Sequence, residues 1–512
     1  MRPATNLSDT RGRVGLLAAQ AFALGLTIAW TTIPVSTIFL ETYGSGMLPV
    51  TYLGAAAAGA GSTVLLARAV RKRPLVSTAA RVFLLATVVF AASWLLLTTL
   101  DATWISFLLL VVLPISVPVG FMFIIGQAGM LLDVRAMKAL YPRVIAGFAL
   151  GFTLGGLTAP LVLGVLGRTE HLLIAAGITS LALLLLVSMT RRRYNAELSA
   201  VEETGNDAER VNLRSLLDNR FVVLIMTFQM LSAVESQWLD YLVYDRAGQR
   251  FTDSTELATF ISRFIAIAYG SDIVFLVLIA GPLLKRFGMR LGLAANPAVV
   301  LTIVTAAIVG AATQGSGTTI VFVLIVGARV GDLVLSDGTT RNSVGAAYQA
   351  IPLNERSAAQ ANVESLAVPV AIGFSGLVLI VLRATVGTNG LILPVLTSVV
   401  LGAWIVTALA VYRGYRVNLL ANLRHRLLDP AELSIDGPNA MVAIDRLLDS
   451  VDQRDVRLGI ASLMSIRPDD TADRLEKVVR SCCCAASTCA SSRSRRRPRD
   501  TTCTFHLFGG CT

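Results

Sequence analysis

The sequence predicts an all-α, polytopic membrane protein, on three observations. Of its 512 residues, 54% are hydrophobic and 15% charged, against about 25% charged in a soluble domain. Apolar runs of roughly twenty residues, each long enough to cross about 30 Å of hydrocarbon as a helix, recur along most of the chain. Arginines and lysines collect in alternate loops between those runs, as topology-setting charges do.

In order, the runs fall at about 15–40, 47–70, 78–100, 103–133, 143–167 and 170–190, then 220–244, 256–284, 290–313, 318–338, 358–382 and 389–412. About twelve transmembrane helices follow, in an N-terminal half (1–194) and a C-terminal half (220–415) joined by the polar linker 195–219. The first run continues from Leu17 to Leu40, well beyond a signal peptide's core of about 7–15 residues, so it reads as a retained span. Loops after even-numbered spans hold Arg71, Lys72 and Arg73, Arg191 to Arg193, Lys285, Arg286 and Arg290, and Arg413 and Arg416. Loops after odd-numbered spans hold little, except for YDRAGQRFTD (244–253), where two Arg are balanced by two Asp. Both termini are therefore expected in the cytoplasm. The formal net charge of +11 is accounted for by these anchors, and no nucleic acid partner is expected; the bilayer is the partner the composition demands.

Beyond the last span, 416–480 is polar with helical apolar spacing, and DVRLGIASL followed by RPDD (455–470) resembles the second helix of a HEAT-type repeat. One such repeat cannot bury its own face, so the segment reads as a helical stub. The tail 481–512 holds all six cysteines and SSRSRRRPRD, without any period. It is read as the product of a reading-frame shift near Arg480, the alternative being a disordered basic tail. Neither a disulfide framework nor a metal-ligand spacing fits these cysteines, and no metal or other cofactor is expected. No nucleophile–base arrangement occurs, so the chain is not read as an enzyme.

Ionisable groups at membrane depth face a cavity or one another. Nearly all lie in the C-terminal half: Glu235 and Asp240, Arg263 and Asp272, Arg329, Asp332 and Asp337, and Glu364. Arg329 falls about 17 Å along its span, at about 1.5 Å per residue from Thr318. Arg329 and Asp332 share a helix face at i, i+3, as do Asp337 and Arg341 at i, i+4. The expected substrate site is Arg329 with Asp332 and Asp272, because a guanidinium grips carboxylate or phosphate through a planar fork. Asp272 and Glu364, if held away from water, suit proton coupling. The bland reading is that these charges neutralise one another and only lock the half together. Trp238 with Tyr241 and Tyr244 reads as an interfacial aromatic belt, and the glycines from Gly147 to Gly156 as a helix-packing surface.

Six spans, a cytoplasmic loop and six more resemble the major facilitator architecture, with GPLLKRFGMRLG (281–292) similar to a degenerate copy of its basic loop. Within it, ALYPRVIAGFALGFTLGG (139–156), LLKRFGMRLGLAANPAVV (283–300) and AAYQAIPLNERSAAQANVESLAVPVAIGFSGLVL (346–379) resemble the ATP/ADP translocase family and its bacterial relatives. That resemblance implies two halves around a central cavity, in a bacterial cytoplasmic (inner) membrane. It also implies HEAT-type repeats and, in a longer form, a domain binding a cyclic nucleotide. Lys138, beside the matching YP pair, is carried over as a substrate-binding cation at the cytoplasmic mouth. The lysines Lys72, Lys138, Lys285 and Lys477 include none deep in a span, which departs from the family's phosphate-holding lysines. The expected function is a secondary transporter working by alternating access on an anionic or zwitterionic small molecule. The alternative is a membrane-anchored sensor that presents cytoplasmic HEAT and cyclic-nucleotide-binding modules.

Overall fold

Lipid offers no hydrogen bonds, so each apolar run must satisfy its backbone within itself and becomes a helix. The computed structural model describes residues 7–72, 74–132, 134–195, 198, 219–351, 356, 359–360, 363–387 and 390–428, and all their side chains except those of 7–11, 67, 71–72, 134–143, 365–366 and 419–428. The HEAT-like segment past Leu428, the cysteine-rich tail, most of the linker and the Lys138 side chain lie outside that description.

The first half is built from α1 (Leu7–Tyr43), α2 (Leu48–Lys72), α3 (Leu75–Leu100), α4 (Trp104–Leu131), α5 (Val134–Leu166) and α6 (Leu172–Arg193). The second begins with α7 (Arg220–Arg250) and α8 (Ser254–Val274), which runs through a π-helical stretch, Phe275–Ala280, into α9 (Gly281–Gln314). There follow α10 (Thr319–Leu335), a π-helical Ser336–Thr340, and α11 (Arg341–Tyr348). A third π-helical stretch, Val363–Ala367, leads into α12 (Val368–Thr385), and α13 (Ile392–Leu428) ends the described part. Eleven described stretches are long and apolar enough to cross a membrane, and one of them, Ser254–Gln314, has 61 residues. It is broken at Gly288, whose φ of 68° and ψ of −169° suit glycine alone. Divided there it makes two crossings, so each half has six. Exposed Leu65, Leu85, Val165, Val277 and Val399 mark the face that meets lipid.

Residues up to Asn418 form one compact unit. With no water-driven collapse between helices in lipid, close backbone approach and internal hydrogen bonds hold them. On α5, Gly147, Gly151 and Gly155 lie against α1: a Cβ on Gly151 would fall 2.1 Å from the Phe22 carbonyl oxygen, and one on Gly25 of α1 would fall 2.1 Å from that of Phe148. The Trp30 indole donates to the Gly155 carbonyl across the same contact (3.1 Å). Gly156 turns the other way, onto Ser262 and Ala266 of α8, so one glycine-rich run serves two partners. A side chain at 151 forces the α1–α5 pair apart. Gly151→Val should therefore cost about 1–3 kcal/mol, read as a lower unfolding midpoint in detergent than that of Gly164→Val, where the added carbon meets nothing.

Two seams join the halves. One is α5 against α8, where the Phe152 and Tyr269 rings stack 4.1 Å apart; the other is α2 against α12, where Gly376 lies on the Pro49 carbonyl. At the end of the bundle carrying residues 41–47, the Ser45 hydroxyl donates to Asp245 (2.6 Å) and the Arg383 guanidinium lies on Gly46. The halves are thus latched at that end. Trp238 and Tyr241 are 4% and 1% exposed, which corrects the aromatic-belt expectation. The α7 face that carries them packs inward, because α7 is covered by α10 and α12.

Candidate functional site

The deepest charges of the second half meet where α7 and α10 pack. Arg329 Nε and Nη2 donate to the two oxygens of Asp240, at 2.6 and 2.9 Å, and Nη1 donates to Asp332 Oδ2 at 2.6 Å. The fork toward Asp240 is bidentate, the strongest geometry available to such a pair. Asp332 also accepts from the Asn296 amide of α9, at 3.0 Å. The side chains of Arg329 and Asp240 keep 14% and 24% of their surface open, while that of Asp332 keeps 2%. The cluster therefore has a closed inner end at Asp332 and an accessible outer end at Asp240.

Glu235, on α7, is completely buried. Neither of its oxygens has a hydrogen-bond donor, and the Asp332 carboxyl, the Arg329 guanidinium and the Asp240 carboxyl stand near it. Two carboxylates can only accept, so a bond between them requires a proton on one. Charge balance points the same way. Glu235, Asp240 and Asp332 face one guanidinium, and a surplus of negative charge at this depth is costly without a proton or a cation.

The first half reaches the cluster through Tyr52 of α2, which stands in electrostatic range of Asp240 and Arg329 and whose buried hydroxyl has no partner. Tyr269 of α8 is likewise in range of Arg329 and Asp240, and its ring lies on Phe152 of the first half. The charges thus sit at the junction between halves, with the tyrosines bridging it.

Of the residues expected at the substrate site, the structure brings Arg329 and Asp332 into contact. Asp272 makes no hydrogen bond to them. It is 1% exposed, has no donor, and faces Asp337 and Arg341, which pair at 3.1 Å. Asp272 precedes one π-helical stretch, and Asp337 lies in the next. The two stretches touch where Gly338 admits the Phe275 ring. Such bulges recur at functional sites because they free backbone groups and re-aim side chains. Glu364 is exposed and accepts from Gln360 at 2.9 Å, so the burial that its proton-carrying role requires is missing there. Arg329 is expected either to grip an anion through its fork or to be neutralised by its acidic neighbours, and its Nε, Nη1 and Nη2 are all engaged by carboxylates.

Spacing along the sequence could not reveal the partners that matter most. Asp240 lies 89 residues from Arg329, and no helical period connects α7 to α10. The one available signal was the count of acids over bases in those spans. Among the described residues no cluster of three or more His, Cys, Asp or Glu side chains is arranged to hold a metal ion.

The sequence matches no family model and no curated protein. By structure the chain is similar to the nucleoside transporter NupG (TM-score 0.54, 14% identity, covering 78% of this chain and 98% of that one). It is similar also to a D-xylose–proton symporter (0.55, 14%, 80% and 98%) and to a bacterial homologue of the iron transporter ferroportin in an inward-facing state (0.54, 13%, 78% and 100%). At such identities the likeness establishes the fold. That fold is twelve-span, two-half and major facilitator-like.

Proposed function

We propose that the chain is a secondary transporter that works by alternating access on a small zwitterionic solute, with the Glu235–Asp332 pair carrying a coupling proton. The observation that carries this reading is the Arg329–Asp240 pair, bidentate, partly open and set between two halves that are latched at the end carrying residues 41–47 through the 45–245 and 46–383 contacts. With both termini in the cytoplasm, as the positive-inside pattern leads us to expect, residues 41–47 lie outside and the latch corresponds to a site facing inward. The transporters that share the fold support the same reading.

A zwitterion fits this pair because it can replace both members at once. Its carboxylate takes the fork of Arg329 while its cationic group takes Asp240, so no charge is left unpaired. A nucleotide fits less well. The three segments resembling ATP/ADP translocases favour a phosphorylated substrate, but the guanidinium at depth is already held by carboxylates and no deep lysine supplements it.

The test is thermal stability in detergent against amino acids and betaines, organic anions, nucleotides and cyclic nucleotides, since a ligand of the folded state must raise its midpoint. A zwitterion at about 100 times its Kd should add about 2.7 kcal/mol, and Asp240→Asn should remove that gain. Stabilisation by a cyclic nucleotide alone, undiminished in Asp240→Asn, would instead favour the sensor reading.

A further inference from the structure

A second site lies far from the charged cluster, where the N-terminus of α3 runs beside the C-terminus of α6. The two helices pack closely along their length and part at this end into adjoining hollows of about 440 and about 380 Å³. Arg191 lines both, Arg192 and Ser188 the first, and Arg81 and Ser77 the second. No described carboxylate offsets these guanidiniums. The first-half acids with described side chains, Glu41, Asp101 and Glu170, all lie at the opposite helix ends. The start of α3 adds the partial positive charge of a helix N-terminus.

The surface leading from this cleft toward mid-membrane is apolar. Leu84, Leu85 and Val88 of α3 and Leu181 and Leu185 of α6 are all exposed there. A soluble anion would have no use for such a wall, whereas a molecule with a charged head and hydrocarbon chains is matched by both parts. Basic clefts between spans at the cytoplasmic surface meet anionic lipid heads in this way, and arginine forks suit phosphodiester oxygens.

From the cleft and its apolar approach we infer that an anionic phospholipid binds here, its phosphate between Arg81, Arg191 and Arg192 and its acyl chains along α3 and α6. Bound at the outer edge of the first half, it fixes the α3–α6 end in the membrane surface while the halves move. This site does not depend on which solute the central cluster takes.

The experiment measures binding of phosphatidylglycerol and phosphatidylcholine to the purified full chain in detergent, by native mass spectrometry and by unfolding midpoint. Inorganic phosphate serves as the chain-free probe. Phosphatidylglycerol should bind and raise the midpoint well above phosphatidylcholine, and phosphate alone should not. Arg81→Ala with Arg191→Ala should weaken phosphatidylglycerol roughly thirtyfold, while Lys285→Ala with Arg286→Ala, outside the cleft in the other half, should leave it unchanged. If the double variant does not fold, Arg192→Gln alone should still lower the fraction of protein carrying that lipid. Equal binding of both lipids, an equal rise with inorganic phosphate, or full phosphatidylglycerol binding in the arginine variants would overturn the proposal.

Discussion

Arg329→Gln should lower stability by about 3–5 kcal/mol, the cost of breaking a buried ion pair from one side, and should abolish transport. The substitution keeps most of the side chain's bulk but removes the charge that offsets Asp240, Asp332 and Glu235 together. Asp332 is the group that suffers most, since its side chain is 2% exposed and keeps neutral donors alone, the Asn296 amide among them. Asp240, 24% exposed, can rehydrate in part, which places the expected cost toward the lower end of the range. The double variant Arg329→Gln with Asp332→Asn separates charge from shape. It should recover a large part of the lost stability, because the buried Asp332 carboxylate is gone and one buried acid fewer is left without its cation, and it should still fail to transport. Unfolding midpoints in detergent provide the comparison. A single variant as stable as the parent would show that the pair contributes nothing to holding α7 on α10.

Bridging the latched end of the bundle should stop transport reversibly. Ser45 and Asp245 bond across the halves at 2.6 Å, and residues 1–481 contain no cysteine, so a Ser45→Cys, Asp245→Cys pair needs no cysteine-free background in the spans, only removal of those in the tail. A short, reducible thiol-to-thiol linker would hold that end shut. Solute flux in proteoliposomes should fall to background and return on reduction, and each single variant should be unaffected by the linker. Unimpaired flux in the linked protein would mean that this end does not open during the cycle.

The fold was legible because lipid makes it so: twelve apolar runs can satisfy their backbones only as helices, and Arg191 to Arg193 or Lys285 to Arg290 show where they end. The break at Gly288 was implicit in KRFGMR, where basic residues flank a glycine. The packing glycines of α5 were also readable, but not that Gly156 faces α8 while Gly151 faces α1. The site was only half legible. Arg329 and Asp332 share one helix, so spacing alone relates them. The partners on other helices, Asp240, Asn296 and Tyr52, are set by how helices far apart in sequence cross. Asp272 and Arg329 stand at similar depth along their own spans, yet depth does not fix azimuth, and Asp272 turns to Asp337 and Arg341. For the same reason Trp238 and Tyr241, in a pattern typical of a membrane boundary, prove to be interior.

The claim on which everything else depends is that two rigid halves rock about the Arg329–Asp240 pair. The most direct measurement is spin-label distance across both ends of the bundle in nanodiscs, pairing Glu41 with Arg250 at the latched end and Arg193 with Arg286 at the other. All four side chains are exposed. Two populations are expected at each end, changing reciprocally with pH and with a bound zwitterion, so that one end closes as the other opens. A single unchanging distance at both ends, under every condition, would contradict alternating access and leave the charged cluster as a structural lock.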